Sequence, residues 1–150
     1  MTHNELTEQA AFRSLQKFET EYLQGHPLLT EQCFVYLVRE EENIALVQRN
    51  LYTDKPPYQT LAIIPLKFIT AIEAMNAVEV EKEFSVGRFM LLGTWSFLFP
   101  KKTEKEVGYL VIRWEVEQWS YEAIFRNEGD SAEKMVKAAQ TMLKQGLNLH

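Results

Sequence analysis

Residues 107–126, VGYLVIRWEVEQWSYEAIFR, decide the fold class of this chain. Val107 to Trp114 is apolar almost throughout, and then Trp119, Tyr121, Ala123 and Phe125 alternate with Ser120, Glu122, Ile124 and Arg126. A period of two with one mostly polar side is the pattern of a half-solvated antiparallel strand. The polar connection Glu115 to Gln118 is short, so the two runs read as a hairpin. Directly downstream the period changes. Ala132, Met135, Val136, Ala139, Met142 and Leu143 follow the i, i+3, i+4, i+7 series of an amphipathic helix over about residues 131–145. Asp130 and Glu133 suit a capping-box start to it, and Gly146 suits its end. Antiparallel strands leading into one packing helix point to an α+β domain.

Upstream the strand signal continues. Arg88 to Phe99 places Phe89, Leu91, Trp95, Phe97 and Phe99 on one face, with Gly93 as a bend or bulge residue. Leu61 to Ile64 reads as a short strand ended near Pro65, and Asp54-Lys55-Pro56-Pro57 as a loop without backbone donors at its prolines. Cys33 to Arg39 and Ile44 to Gln48 flank the charged turn Arg39-Glu40-Glu41-Glu42-Asn43 and form another hairpin. Residues 67–83 are open to helix or strand. At the start, Ala11, Leu15, Phe18 and Tyr22 recur at spacings of four, three and four, which predicts a helix over about residues 3–24. Thr2 and Glu5 suit its cap, and Gly25 and Pro27 its stop. The expectation is therefore one domain over residues 1–150. It comprises a curved antiparallel sheet or partly open barrel of six to seven strands, an added N-terminal helix within residues 1–25, and a C-terminal capping helix.

Composition narrows the function classes. With 16 Lys and Arg against 21 Asp and Glu, the net charge of −5 provides no general field for nucleic acid or anionic membrane. A single cysteine, Cys33, excludes an intrachain disulfide, and its apolar neighbours suit a core position. The polar N-terminus does not suit a signal peptide, and no apolar run approaches the ~20 residues of a membrane span. A cytoplasmic protein without integral membrane association is expected. His3, His26 and His150 lie at the ends or in a turn, and no nucleophile motif, phosphate loop or metal-ligand spacing stands out. The reading is non-enzymatic, with no cofactor and no metal.

Tyr109-Leu110-Val111-Ile112-Arg113-Trp114, the turn, Trp119 to Phe125, the polar break Asn127-Glu128-Gly129-Asp130 and the final helix together resemble a pleckstrin-homology-like domain. Asn43 to Tyr52, the proline loop and Leu61 to Ile69 are similar to its middle strands, as in bacterial and GRAM-type members. The resemblance covers about residues 32–145 and departs in one respect: many members carry a Trp in the last helix, where this chain has Met and Ala. It implies a bacterial, non-catalytic module that binds a protein partner or self-assembles, including as a homo-oligomer. Lipid-binding members carry a basic cluster in the first hairpin, whereas the turn read here as the first is Arg39-Glu40-Glu41-Glu42.

Two groups of residues are candidates for binding. Trp119 and Tyr121, with Trp114 nearby, suit a peptide or oligomer surface, against the plainer alternative of core packing. Lys101, Lys102 and Lys105 form the one basic concentration and suit phosphate or anionic lipid, against the plainer alternative of a hydrated loop diluted by Glu104 and Glu106. The other functional reading is a carrier of a small apolar ligand inside the curved sheet, lined by two-sided strands such as Arg88 to Phe99.

Overall fold

A computed structural model describes residues 16–50, 57–83 and 106–149. The described strands are β1 (Lys17–Gln24), β2 (Cys33–Arg39), β3 (Asn43–Arg49), β4 (Tyr58–Pro65), β5 (Ile69–Asn76), β6 (Val107–Val116) and β7 (Trp119–Glu128). Two helices accompany them among the described residues, α1 (Ala77–Glu83) and α2 (Ala132–Lys144), with a 3-10 turn at Leu66–Phe68. All seven strands join one antiparallel sheet in the order β4-β3-β2-β1-β7-β6-β5. The chain is thus an α+β domain built on an open antiparallel sheet. None of the described helices is long and apolar enough to cross a membrane.

The expected N-terminal helix is corrected over Lys17–Gln24, which is strand β1 in the interior of the sheet. A spacing of four is common to both periods: Phe18 and Tyr22 share a helical face, and they also share a strand face with Thr20 between them. Pairing decides between the two. Phe18 lies opposite Leu37, Thr20 opposite Val35 and Tyr22 opposite Cys33, so all three face the core. Residues 1–15 and the predicted strand at 88–99 lie outside the described residues.

Residues 67–83 resolve into both alternatives in turn, strand to Asn76 and helix from Ala77. The switch has a local cause. Asn76 Oδ1 accepts the Glu79 N–H at 2.9 Å, and Glu79 Oε1 accepts the Asn76 N–H at 3.2 Å, a reciprocal capping box. Glu79, Glu81 and Glu83 therefore sit on a helix. Helix α2 begins differently from the Asp130/Glu133 box expected. Its cap is Ser131, at φ 68° without a side-chain cap bond, and Glu106 Oε1 accepts the Glu133 N–H at 3.1 Å.

Leu37, Ile44, Leu46, Ile64, Ile72, Leu110, Ile112 and Phe125 fill the concave side of the sheet, and Val136 and Leu143 of α2 pack against them. Gly108 permits that approach, because a Cβ there would stand 2.8 Å from both the Ala132 oxygen and Val136 Cγ2. On the other side, Val80 of α1 closes a smaller cluster with Leu23, Tyr109, Val111 and Ile124.

The loop after β1 depends on Gly25, at φ +113°, where a Cβ would lie 1.6 Å from the Glu122 carbonyl oxygen on β7. Gly129, at φ +115°, has nothing within 4 Å. Gly129→Ala is therefore expected to carry the positive-φ strain alone, about 1–2 kcal/mol. Gly25→Ala adds a backbone collision and should lose ~3 kcal/mol or more in urea titration. A Gly25→Ala loss no larger than that of Gly129→Ala would mean that the loop does not lie against β7.

Candidate functional site

Phe34, Glu21, Arg126 and Tyr109 stand in register across β2, β1, β7 and β6, so their side chains form one row on the outer face of the sheet. The middle of the row is polar and organised. Arg126 donates to Glu21 Oε1 from Nη2 at 2.7 Å and from Nε at 3.1 Å, and Glu128 stands 3.6 Å from Nε. Its side chain is only 10% exposed. Tyr109 is fully buried beside it, and burial, only partly opposed by Arg126, pushes its phenol pKa up. At the end of the row Phe34 keeps 69% of its surface exposed.

Beside this row β1 and β7 part. Their backbone pairing spans Glu21 to Gln24 on β1 and no further toward Lys17. Asn127 fills the gap with its side chain: Nδ2 donates to the Glu19 carbonyl at 3.0 Å, and Oδ1 accepts the Thr20 hydroxyl at 2.5 Å. The parting leaves a groove of about 390 Å³ with Thr20 and Asn127 along it, Phe34 on β2 at one side and Met135 on α2 at the other. Met135 is 46% exposed. Two exposed apolar side chains thus flank a groove whose carboxylates, Glu19, Glu21 and Glu128, outnumber its one cation, Arg126.

A second polar centre lies on β5, β6 and β7. Arg113 donates to Glu122 at 2.6 Å, to Glu73 at 2.8 Å and to Glu83 of α1 at 2.8 Å, which ties α1 to the sheet. Burial opposes the guanidinium charge, yet the Glu122 hydrogen bond and the nearby carboxylates outweigh it and hold its pKa above the ordinary value. A hollow of about 490 Å³ between the β2–β3 turn and the β4–β5 corner is lined by Glu41, Glu42 and Lys67 beside Phe68. It contains no buried charged group comparable to Arg126.

The aromatics singled out in the sequence separate. Trp119 begins β7 with 60% of its surface exposed, while Tyr121 is half-buried and stacks on the buried Trp114 at 5.5 Å between ring centroids. Lys101, Lys102 and Lys105 lie outside the described residues. Cys33 is partly buried, and burial together with Glu31 and Glu21 raises its thiol pKa, so it is protonated at neutral pH. Among the described residues no three of His, Cys, Asp and Glu gather to hold a metal ion.

Sequence reasoning did not single out Phe34, Arg126, Asn127 or Met135 as a group, and it passed over His26, which is buried. For His26 a local signal exists in its neighbours Gly25 and Pro27, which mark a tightly constrained turn. Compared with protein-family models, with curated proteins and with solved structures, the chain matches none of them.

Arg126→Met strips Glu21 of its ion pair at a site where both side chains are largely buried. A loss of about 2–3 kcal/mol is expected in chemical denaturation. Adding Glu21→Gln should recover part of that loss, because it removes the stranded charge. Additive losses in the double variant would mean that the two groups act independently.

Proposed function

We propose that this chain is a non-catalytic, pleckstrin-homology-like interaction module that binds a protein partner in the groove between β1 and β7. The exposed phenyl ring of Phe34 beside the ordered Glu21–Arg126 pair carries the reading. A large aromatic standing out of water at the rim of a groove is the kind of anchor that partner interfaces use, and the rigid polar row supplies orientation. Within residues 32–145, antiparallel strands followed by a C-terminal helix accord with the resemblance, to which β1 adds a strand that pairs with β7.

The groove's charge favours a partner other than a second copy. Two copies meeting there would bring Glu19 and Glu128 against their equivalents, whereas a segment with Lys or Arg beside an apolar residue would complement them. Phosphoinositide binding fits less well. With β1 in place, the first hairpin loop becomes residues 25–32, Gly-His-Pro-Leu-Leu-Thr-Glu-Gln, which has no lysine or arginine. The carrier alternative draws chiefly on residues 88–99, which lie outside the described residues, while the concave side described is filled by its own side chains.

The test is selection of short peptides from a random displayed library on the intact protein, followed by ¹H–¹⁵N mapping of those retained. Retained peptides are expected to pair a basic residue with an apolar one and to shift Thr20, Phe34, Asn127 and Met135. Phe34→Asp should weaken them at least tenfold, while its stability cost, with a carboxylate set opposite Glu21, should stay within about 1 kcal/mol. Peptides that map elsewhere, or that bind Phe34→Asp equally well, would refute the groove as the docking site.

A further inference from the structure

His26 is the one histidine within the described residues, and it is 6% exposed in the loop between β1 and β2. Both ring nitrogens are engaged. Nδ1 faces the Leu28 N–H at 3.1 Å, and Nε2 lies 2.9 Å from the Ile63 carbonyl oxygen on β4. A backbone N–H only donates and a carbonyl only accepts, so Nδ1 is unprotonated and Nε2 carries the hydrogen. The contacts therefore select the neutral ring in one tautomer.

The position of this ring gives that selection a structural consequence. Among the described strands β4 ends the sheet and β6 lies five places away from it in strand order, yet His26 bonds β4 and also packs on Trp114 of β6 at 5.4 Å between ring centroids. One imidazole thus spans the mouth of the curved sheet. Its backbone N–H donates to the Tyr22 hydroxyl at 2.8 Å, which donates onward to the Leu29 carbonyl at 2.6 Å. These bonds bind the loop into a unit centred on the histidine. The Ile63 carbonyl it covers belongs to an edge strand, where an open acceptor invites pairing with another chain.

We propose that His26 is an acid-sensitive latch: protonating its ring releases the loop of residues 25–32 from β4 and uncovers the β4 edge while the rest of the sheet stays folded. A proton on Nδ1 turns its acceptor into a donor facing the Leu28 N–H, and it places a charge in a buried site. The titratable groups on the elements packed around the ring are the Tyr22 phenol of β1 and, behind Trp114, the Tyr121 phenol of β7; β4 presents the Ile63 backbone. Burial raises the Tyr22 pKa above 10.0, so that phenol stays neutral throughout the acid range. Burial likewise lowers the His26 pKa from its ordinary 6.5, against a smaller opposing effect of the Ile63 bond. The sign follows. The closed loop binds fewer protons than the open one, so closure is fully favoured above 6.5 and weakens as pH falls toward the lowered value.

The experiment is an NMR titration of the intact protein from about pH 7.5 to 5 in two readouts. The His26 ring nitrogens should report the Nε2–H tautomer at the upper end and a midpoint below 6.5. Protection of the Leu28 and Leu29 amides, corrected for intrinsic exchange, should fall by up to about tenfold per pH unit below 6.5, while β6 and β7 amides hold theirs. His26→Gln, which keeps an amide donor and acceptor but cannot titrate, should abolish that fall. A midpoint at or above 6.5, simultaneous loss of β6 protection, or an unchanged fall in His26→Gln would each overturn the latch. The first two outcomes are read on the native chain and stand even if the variant fails to fold.

Discussion

Seven strands can curl into a continuous sheet only if the first and last described strands meet, and here they meet over three residue pairs. These are Glu21 with Arg126, Tyr22 with Phe125 and Gln24 with Ile124. So short a ladder supplies few backbone hydrogen bonds, and side chains complete the seam. The Glu21–Arg126 ion pair closes its outer side, and Tyr22 meets Phe125 edge to face at 5.7 Å on the inner side. Beyond the ladder, Asn127 reaches across with an amide that replaces a missing backbone partner. The groove exists because this seam is incomplete, and its polar floor is the set of groups that complete it.

The same economy governs the open edges. Among the described strands β4 and β5 end the sheet, and each has a carbonyl satisfied by a side chain: Ile63 by the His26 ring and Ile72 by Gln140 of α2 at 2.9 Å. A side chain on an edge acceptor occupies the group that a further strand would use. The two covers differ in chemistry. The amide of Gln140 does not titrate, whereas the imidazole of His26 takes up a proton in acid, below its ordinary 6.5 because of burial. Arg113 makes a third tie of this kind, joining α1 to β5, β6 and β7 through three carboxylates.

Much of the fold was legible because its signals are local. β7 and α2 carry a clear period within their own residues, β2, β3 and β6 are apolar runs bounded by short polar turns, and the reading of an α+β antiparallel sheet rested on both signals. β1 was read as helix because Phe18 and Tyr22 satisfy both periods; only its neighbours, Leu37 and Cys33 on β2 and Phe125 on β7, make it a strand. Around Asn76 the apolar residues settle neither period, and the capping-box spacing of Asn76 and Glu79, the same as that read at Asp130 and Glu133, was the available signal that was missed.

The candidate site was far less legible. Trp119 and Tyr121 were picked out by residue type, yet one lies exposed at a hairpin end and the other half-buried against Trp114. Glu21 and Arg126 lie 105 positions apart, and His26 and Ile63 lie 37 apart, so nothing in either neighbourhood marks them as partners. By itself the sequence determined the strand and helix periods of the C-terminal half and the buried character of its apolar face, because adjacent residues encode both. Only the tertiary structure decided which carboxylate meets Arg126, which carbonyl His26 covers and where β1 leaves β7. Register and sheet closure set those contacts, and both are properties of strands brought together from opposite ends of the chain.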